Sequence, residues 1–492
     1  MKTLAALLLF TLSAQAAIML PAVFSDHMVL QSGKPVPVWG AADANTEVTV
    51  AIAGQKKTTQ ADGEGKWSLK LDALTATAEP QTLTIGDKTI NDVLIGEVWL
   101  GSGQSNMAMT VERAKDLEAS KAAANLPLIR VFTEGSGASP TAKSEGKGTW
   151  IICTPETVGK FSATAFFFGR TLHAELKTPV GLINSSVGGT PIESWISPEA
   201  QQASEELKPF FAAMKQADAQ FDEGKTKAVF ERQVAEWTEA VKKANAEGKR
   251  LPRKPRVPLE TRKRKGNVGG LFNSKIAPLI PFAIRGAIWY QGESNSQDPK
   301  APFYQHQLTL LAKDWRTRWN DEFAFAWVQL PNFTRAGEGW MIVREQMLNA
   351  LQTIPNSGMA ITLDIGDPKD IHPKNKQDVG YRLAQWALGS VYHKDVPAIC
   401  GPLIDSATAK GGEFVLTFKH AKGLTAKGNL TGFEIAGADG HWQLAEAKID
   451  GETVIVSAKA VAEPKSVRYA WKDNPTASLF NGAGIPASPF RK

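Results

Sequence analysis

The stretch Gly96-Glu97-Val98-Trp99-Leu100-Gly101-Ser102-Gly103-Gln104-Ser105-Asn106-Met107 decides how the chain is read. Its first half closes a mostly uncharged run over residues 93–100, short enough for a strand buried on both faces. Its second half is a glycine-rich turn. Glycines let a strand turn sharply into a helix and lift a small side chain above the sheet. Ser105 is the natural nucleophile of such a turn. Position 107 is Met, so the trailing glycine of a G-x-S-x-G elbow is missing, and so is the Lys of a phosphate-binding P-loop.

Short apolar runs recur at 179–183, 285–290, 323–330 and 359–363, alternating with helical stretches. That alternation predicts an α/β region with a parallel sheet covered on both faces. Upstream the signals are β. Val48-Thr49-Val50-Ala51-Ile52 and Lys66-Trp67-Ser68-Leu69-Lys70-Leu71 alternate, with a turn at residues 61–65 between them, and a small β-sandwich is expected. Downstream of about residue 402 the signals are β again, with Glu413-Phe414-Val415-Leu416-Thr417-Phe418, Thr453-Val454-Ile455-Val456 and a hairpin turn at Ile449-Asp450-Gly451-Glu452.

An insertion over residues 199–268 interrupts the α/β region. Phe230, Val234, Trp237 and Val241 share one helical face. Residues 207–221 look helical too, with Gly224 as the expected break. A helical hairpin is predicted, followed by a basic, proline-punctuated loop, with a lid over the substrate as its sharper use. Residues 249–265 hold nine basic residues against one acid, more positive charge than the net +6 of all 492 residues. The rest of the chain is therefore slightly acidic. With no zinc-finger, RNP-type or helix-turn-helix signal, the run is read as solvated loop and no nucleic acid is expected as a partner.

A hydrophobic fraction of 43% and a charged fraction of 22% fit an ordinary globular protein and exclude disordered, collagen-like and polytopic membrane classes. Two cysteines, Cys153 and Cys400, exclude a disulfide scaffold and multi-cysteine metal sites; a single disulfide and two buried thiols both fit. Met-Lys-Thr, an apolar run over 4–12 and Ala14-Gln15-Ala16 read as a secretory leader with its cleavage site. The run is too short to span a bilayer, so a secreted or periplasmic protein without membrane insertion is expected.

A serine hydroxyl needs a base, and the base an orienting carboxylate. Asp370-Ile371-His372-Pro373 offers both on one short loop. Ester hydrolysis also needs N–H donors for the developing oxyanion. Val187-Gly188-Gly189-Thr190 follows the run at 179–183, and Gln291-Gly292-Glu293-Ser294-Asn295 follows the run at 285–290. The first offers bare backbone amides and the second the NH2 groups of Gln291 and Asn295. These turns, with Ser105, lie just beyond strand ends, where open α/β sheets bind ligands.

Four stretches together resemble the SGNH (GDSL-like) hydrolases, in their sialate O-acetylesterase branch: Phe24-Ser25-Asp26-His27-Met28-Val29-Leu30-Gln31, the opening stretch 96–107, Trp289-Tyr290-Gln291-Gly292-Glu293-Ser294-Asn295, and Asp370-Ile371-His372-Pro373-Lys374-Asn375-Lys376. The tail Val467-Arg468-Tyr469-Ala470-Trp471 is similar as well. The resemblance covers nearly the whole chain except the charged insertion. It implies an α/β fold class, a three-layer α/β/α SGNH core with a parallel sheet, flanked by N-terminal and C-terminal β-sandwich-like regions. The expected division is a leader at 1–16, a β domain at 17–95, a catalytic domain at 96–395 and a β domain at 396–492.

The resemblance implies Ser105 as nucleophile, His372 as base and Asp370 as acid, with Asp367 and Asp364 as alternatives because the wider family often sets its Asp three residues before the His. The oxyanion donors would be Ser105 N–H, Gly188 or Gly189, and Gln291 or Asn295. Gly-Gln-Ser replaces the wider family's Gly-Asp-Ser, as in the sialate branch. Arg344 and Glu293 are the expected substrate contacts, Arg344 pairing with a sialate carboxylate. The implied activity is removal of O-acetyl groups from sugars through an acetyl-serine, with no metal or cofactor. Deacetylation of xylan or pectin, and a non-catalytic carbohydrate-binding protein, are the alternatives.

Overall fold

The structure, a computed structural model, describes residues 18–219, 222–248, 251–252, 255, 268–297 and 299–492. The expected leader at 1–16 and every charged residue of the basic run at 249–265 lie outside the described residues.

Seven strands build the central layer: β1 (Lys88–Gly103), β2 (Leu126–Thr133), β3 (Trp150–Cys153), β4 (Val180–Ser186), β5 (Gly286–Tyr290), β6 (Ala324–Val328) and β7 (Ser357–Ala360). Their spatial order is β7-β6-β5-β1-β4-β2-β3. All neighbours pair in parallel except β3, which runs antiparallel at the edge. The side chains sort by parity, as a pleat requires. Trp99, Leu182, Ile288, Tyr290, Ala326 and Val328 enter one buried cluster, whereas Val98, Leu100, Ile183, Ala287, Trp289, Phe325 and Trp327 enter the other. Both faces are thus apolar, which is why these strands read as continuous apolar runs and not as alternation.

Helices cover both faces. Phe166, Phe167, Phe168 and Leu172 of α2 (Ala163–Leu176) and Val379, Leu383 and Leu388 of α5 (Lys376–Ser390) pack on the first cluster; Leu308, Leu311 and Trp315 of α3 (Tyr304–Trp319) and Val343 and Met347 of α4 (Glu338–Ala350) pack on the second. The remaining helix used below, α1 (Ser105–Ala108), is a single turn at the end of β1. Burying each large apolar side chain contributes roughly 1.5–3 kcal/mol.

β1 is longer than expected, at 16 residues. Its first half pairs with Val29–Gln31 and with Thr77–Ile85 in the N-terminal β region, and its second half is the middle strand of the central sheet. Residue 95 therefore lies inside one strand shared by both regions. At this end of the sheet the buried Glu97 carboxylate accepts from Gln31, Ser32, Arg285 and Tyr392.

The C-terminal region holds two antiparallel four-stranded sheets, one ordered Leu403–Lys410, Glu413–Lys419, Thr453–Ser457, Glu446–Asp450, and one ordered Trp442–Leu444, Phe433–Ala436, Ser466–Tyr469, Phe490–Arg491, with a two-stranded pair of Thr425–Ala426 and Leu479–Phe480 beside them. Phe414, Leu416, Val454 and Val456 share a core with Phe433, Ile435, Val467 and Phe490. The hairpin turn at residues 450–452 is present, with Gly451 at φ +62°.

In the insertion, helices span Lys208–Ala219 and Glu223–Ala246. Gly224 is not the break: it sits in the first turn of the second helix, which Asp222 caps by accepting from Lys225 N–H at 2.9 Å. Cys153 and Cys400 are both free, buried thiols, so of the two sequence alternatives the disulfide is excluded. Burial pushes each thiol up to about 12.

Candidate active site

Three loops leave the sheet at one level. Ser102 of β1 lies in register with Ser185 of β4 and Trp289 of β5, and the next residue, Gly103, with Ser186 and Tyr290. The strands before β5 lie on one side of β1 and β5–β7 on the other, so this edge is a topological switch point. Gly103 makes the turn possible. Its φ is +134°, and a Cβ there would stand 2.2 Å from the Tyr290 carbonyl oxygen. Only glycine fits both limits.

Ser105 opens α1, so its N–H has no acceptor within the helix. Its Oγ lies 2.8 Å from Nε2 of His372. A Cβ built on Gly188 would stand 3.4 Å from the Ser105 Cβ, so the bare backbone of the loop after β4 lies against the serine. Gly189 follows at φ +70°.

His372 sits on a tight loop before α5. Asp367 Oδ1 accepts from the N–H groups of Lys369 and Asp370, and Asp370 Oδ1 accepts from His372 N–H at 2.9 Å. The same Asp370 oxygen lies 3.5 Å from His372 Nδ1, with both side chains partly exposed. Of Asp364, Asp367 and Asp370, Asp370 is thus the one beside the imidazole. Asp364 is committed to Arg382, at 2.6 and 2.7 Å, and Asp367 to its own turn. Burial lowers the imidazole below its usual range; Asp370 opposes this, while Lys376 and Arg113 add to it.

Gln291 and Asn295 do not face Ser105 with free donors. The Gln291 amide donates to Gln104 Oε1, the Thr190 carbonyl and Asn295 Oδ1, and the Asn295 amide donates to Glu193 and Gln307. Both side chains are fully buried. They fix the turn after β5 to Gln104 and to the loop after β4, and neither retains an N–H for an oxyanion. Glu293 is also buried, accepting from Asn106 at 2.6 Å, and does not line an open site.

Arg344 corrects the sequence expectation most sharply. It is 1% exposed and donates to the carbonyls of Leu330, Pro331, Lys472 and Asp473. Helix α4 points it inward, where it joins the loop after β6 to the C-terminal region. No substrate carboxylate can reach it. Three residues with a place at the site, Arg113, Asn106 and Lys376, carry no sign of it in the sequence. Arg113, on the short turn Val111–Arg113, is exposed and acts on the His372 charge. Asn106 and Lys376 lie inside the quoted motifs, yet nothing in their spacing shows that they meet at 2.6 Å.

A three-layer α/β/α core with a serine and a histidine in contact at the carboxyl edge of its parallel sheet is an arrangement that fits a hydrolase. Comparison with known proteins agrees. The family described as "Carbohydrate esterase, sialic acid-specific acetylesterase" matches residues 95–251 and 272–389. The chain is 27% identical to the sialate O-acetylesterase of Rattus norvegicus over 94% of its own length and 92% of that protein's. It is 26% identical to the Homo sapiens enzyme of the same name, over 95% and 91%. A crystal structure of a carbohydrate acetylesterase from Xanthomonas citri superposes with a TM-score of 0.82 at 33% identity, covering 97% of this chain and 99% of that one. The chain belongs to the sialic acid-specific acetylesterase family of carbohydrate esterases, and it is a carboxylic ester hydrolase.

Proposed function

We propose that the chain removes O-acetyl groups from sialic acids by way of an acetyl-Ser105 intermediate. The observation that carries the reading is the 2.8 Å approach of Ser105 Oγ to His372 Nε2 at the switch point of the sheet. Ser105 Oγ bonds to the acetyl carbonyl carbon as His372 Nε2 takes its proton. The carbonyl oxygen, now negative, lies against the N–H of Ser105 and the backbone of Gly188 and Gly189, where each donor contributes roughly 3–4 kcal/mol. Collapse breaks the bond to the sugar oxygen, which leaves with the proton held by His372. A water then gives a proton to His372 and attacks the acetyl-serine, and acetate departs as Ser105 regains its hydrogen. Asp370 favours the imidazolium that forms twice in this cycle. The lowered imidazole supports the scheme, since the base form is present at neutral pH.

With Arg344 occupied, the sialate carboxylate needs another partner, and Arg113 is the exposed cation that acts on the same histidine. The expected result is acetate release from O-acetylated sialic acid. Arg113→Ala should lower kcat/KM for that substrate about tenfold while changing a neutral acetylated sugar less than about twofold. Faster release from acetylated xylan than from the sialic acid would reassign the substrate.

The leader-like N-terminus supports work outside the cytoplasm, and no helix among the described residues is long and apolar enough to cross a membrane. The mature exported protein should begin at residue 17 by intact mass. A species that retains residues 1–16 would contradict the export reading.

A further inference from the structure

Directly behind the Ser105–His372 pair lies a cluster that the scheme above does not use. Asn106, next to the nucleophile, is fully buried. Its Nδ2 donates to Glu293 Oε1 at 2.6 Å and to the Ile371 carbonyl at 3.0 Å, and its Oδ1 accepts from Lys376 Nζ at 2.6 Å. The residue after the serine therefore grips the residue before the histidine, in parallel with the Ser105–His372 contact. Lys376 is 0% exposed, and its ammonium lies 4.9 Å from the centre of the Tyr290 ring. Among the described residues, Glu293 Oε2 has no hydrogen-bond partner. A buried cation and a buried carboxylate are thus joined through one amide group. Such an arrangement is costly in a low dielectric, and the hydrophobic core alone gives no reason for it.

We propose that Glu293, Asn106 and Lys376 form a positioning device for the catalytic pair: Asn106 clamps the Ser105 turn to the His372 loop, and Lys376 sets a buried positive charge directly behind that clamp. The inference rests on the reading of Ser105 as nucleophile and His372 as base. The charged groups acting on the imidazole are Asp370 on its own loop, Lys376 at the start of α5 and Arg113 on the turn 111–113; Glu293, Asp370 and Lys374 act in turn on Lys376. Asp370 favours the imidazolium and the two cations oppose it. Lys376 itself is lowered to about 7 by burial, against the pull of Glu293 and Asp370. It is still protonated over the lower pH range in which His372 titrates.

The test is the pH profile of kcat and KM for a soluble acetyl ester, measured on the full-length enzyme, Lys376→Met and Ser105→Ala. Removing the cation should move the acid limb of kcat/KM upward by roughly 0.5–1 pH unit, with KM within about twofold. A wild-type limb in an active Lys376→Met enzyme overturns the inference. Activity surviving in Ser105→Ala sinks the nucleophile reading instead, so the two failures are separable. Should Lys376→Met not fold, the wild-type enzyme decides the matter. With carbon-13-labelled histidine, the His372 signal, identified by its loss in His372→Asn, should show a second inflection near 7 as Lys376 releases its proton. A single inflection overturns the inference.

Discussion

Arg344 and Lys376 are both cations hidden from solvent, and their surroundings divide their roles. The five donors of a guanidinium can saturate several carbonyls at once, and Arg344 does so with four residues from two regions of the chain. An ammonium placed against one amide oxygen and an aromatic face is left with unspent charge. Arg344→Ala should therefore act on folding. It strands buried carbonyls and should cost roughly 3–5 kcal/mol, read as a lower urea midpoint, with discrimination between sialic and neutral acetylated sugars unchanged. Lost discrimination at full stability would return Arg344 to the substrate. Ser105 and His372 were legible in the sequence because their chemistry demands a hydroxyl and an imidazole beyond strand ends. Arg344 was not, because an arginine on an amphipathic helix gives no sign of what it will meet.

Among the elements, β1 carries the site. Its paired length ends at Gly103, where the strand touches the Tyr290 carbonyl and turns into α1. Gly103→Ala puts a methyl group into that carbonyl at a left-handed φ, at a cost of roughly 2–5 kcal/mol. We expect a lower melting temperature and at least about a hundredfold loss of kcat/KM, because the turn that presents Ser105 must move. Wild-type kinetics in this variant would show that the turn tolerates displacement. β1, β4, β5, β6 and β7 were visible as apolar runs because both faces are covered. β2 and β3 were not. β2 contains Pro127 and the buried Arg130, which pairs with Asp92 at 2.7 Å, and a charge whose partner is distant in sequence disguises a core strand. β3 is only four residues long and antiparallel at the edge. The second insertion helix starts at the Asp222 cap and not at the glycine two residues later, because side-chain caps commonly set helix starts.

Across the whole molecule the active edge is held from several directions. The C-terminal region reaches the loops beside His372: Asp473 accepts from Ala336 N–H, its carbonyl accepts from Phe333 N–H, and Asn332 joins Asn474 to Gly366. The N-terminal region grips the opposite end of the sheet through Glu97. The α/β alternation and the flanking β signals made the kind of element in each stretch readable, whereas the contacts that bind the regions together depend on loops whose pairing no local pattern specifies. All of this converges on one hydroxyl beside one imidazole. Treating the full-length enzyme with a fluorophosphonate, then mapping the adduct by mass spectrometry alongside acetate release, examines that point directly. A single adduct on Ser105 is expected, formed at least about a hundredfold more slowly in His372→Ala, with acetate release abolished in Ser105→Ala. An adduct on another residue, or acetate release that persists without the Ser105 hydroxyl, would contradict it.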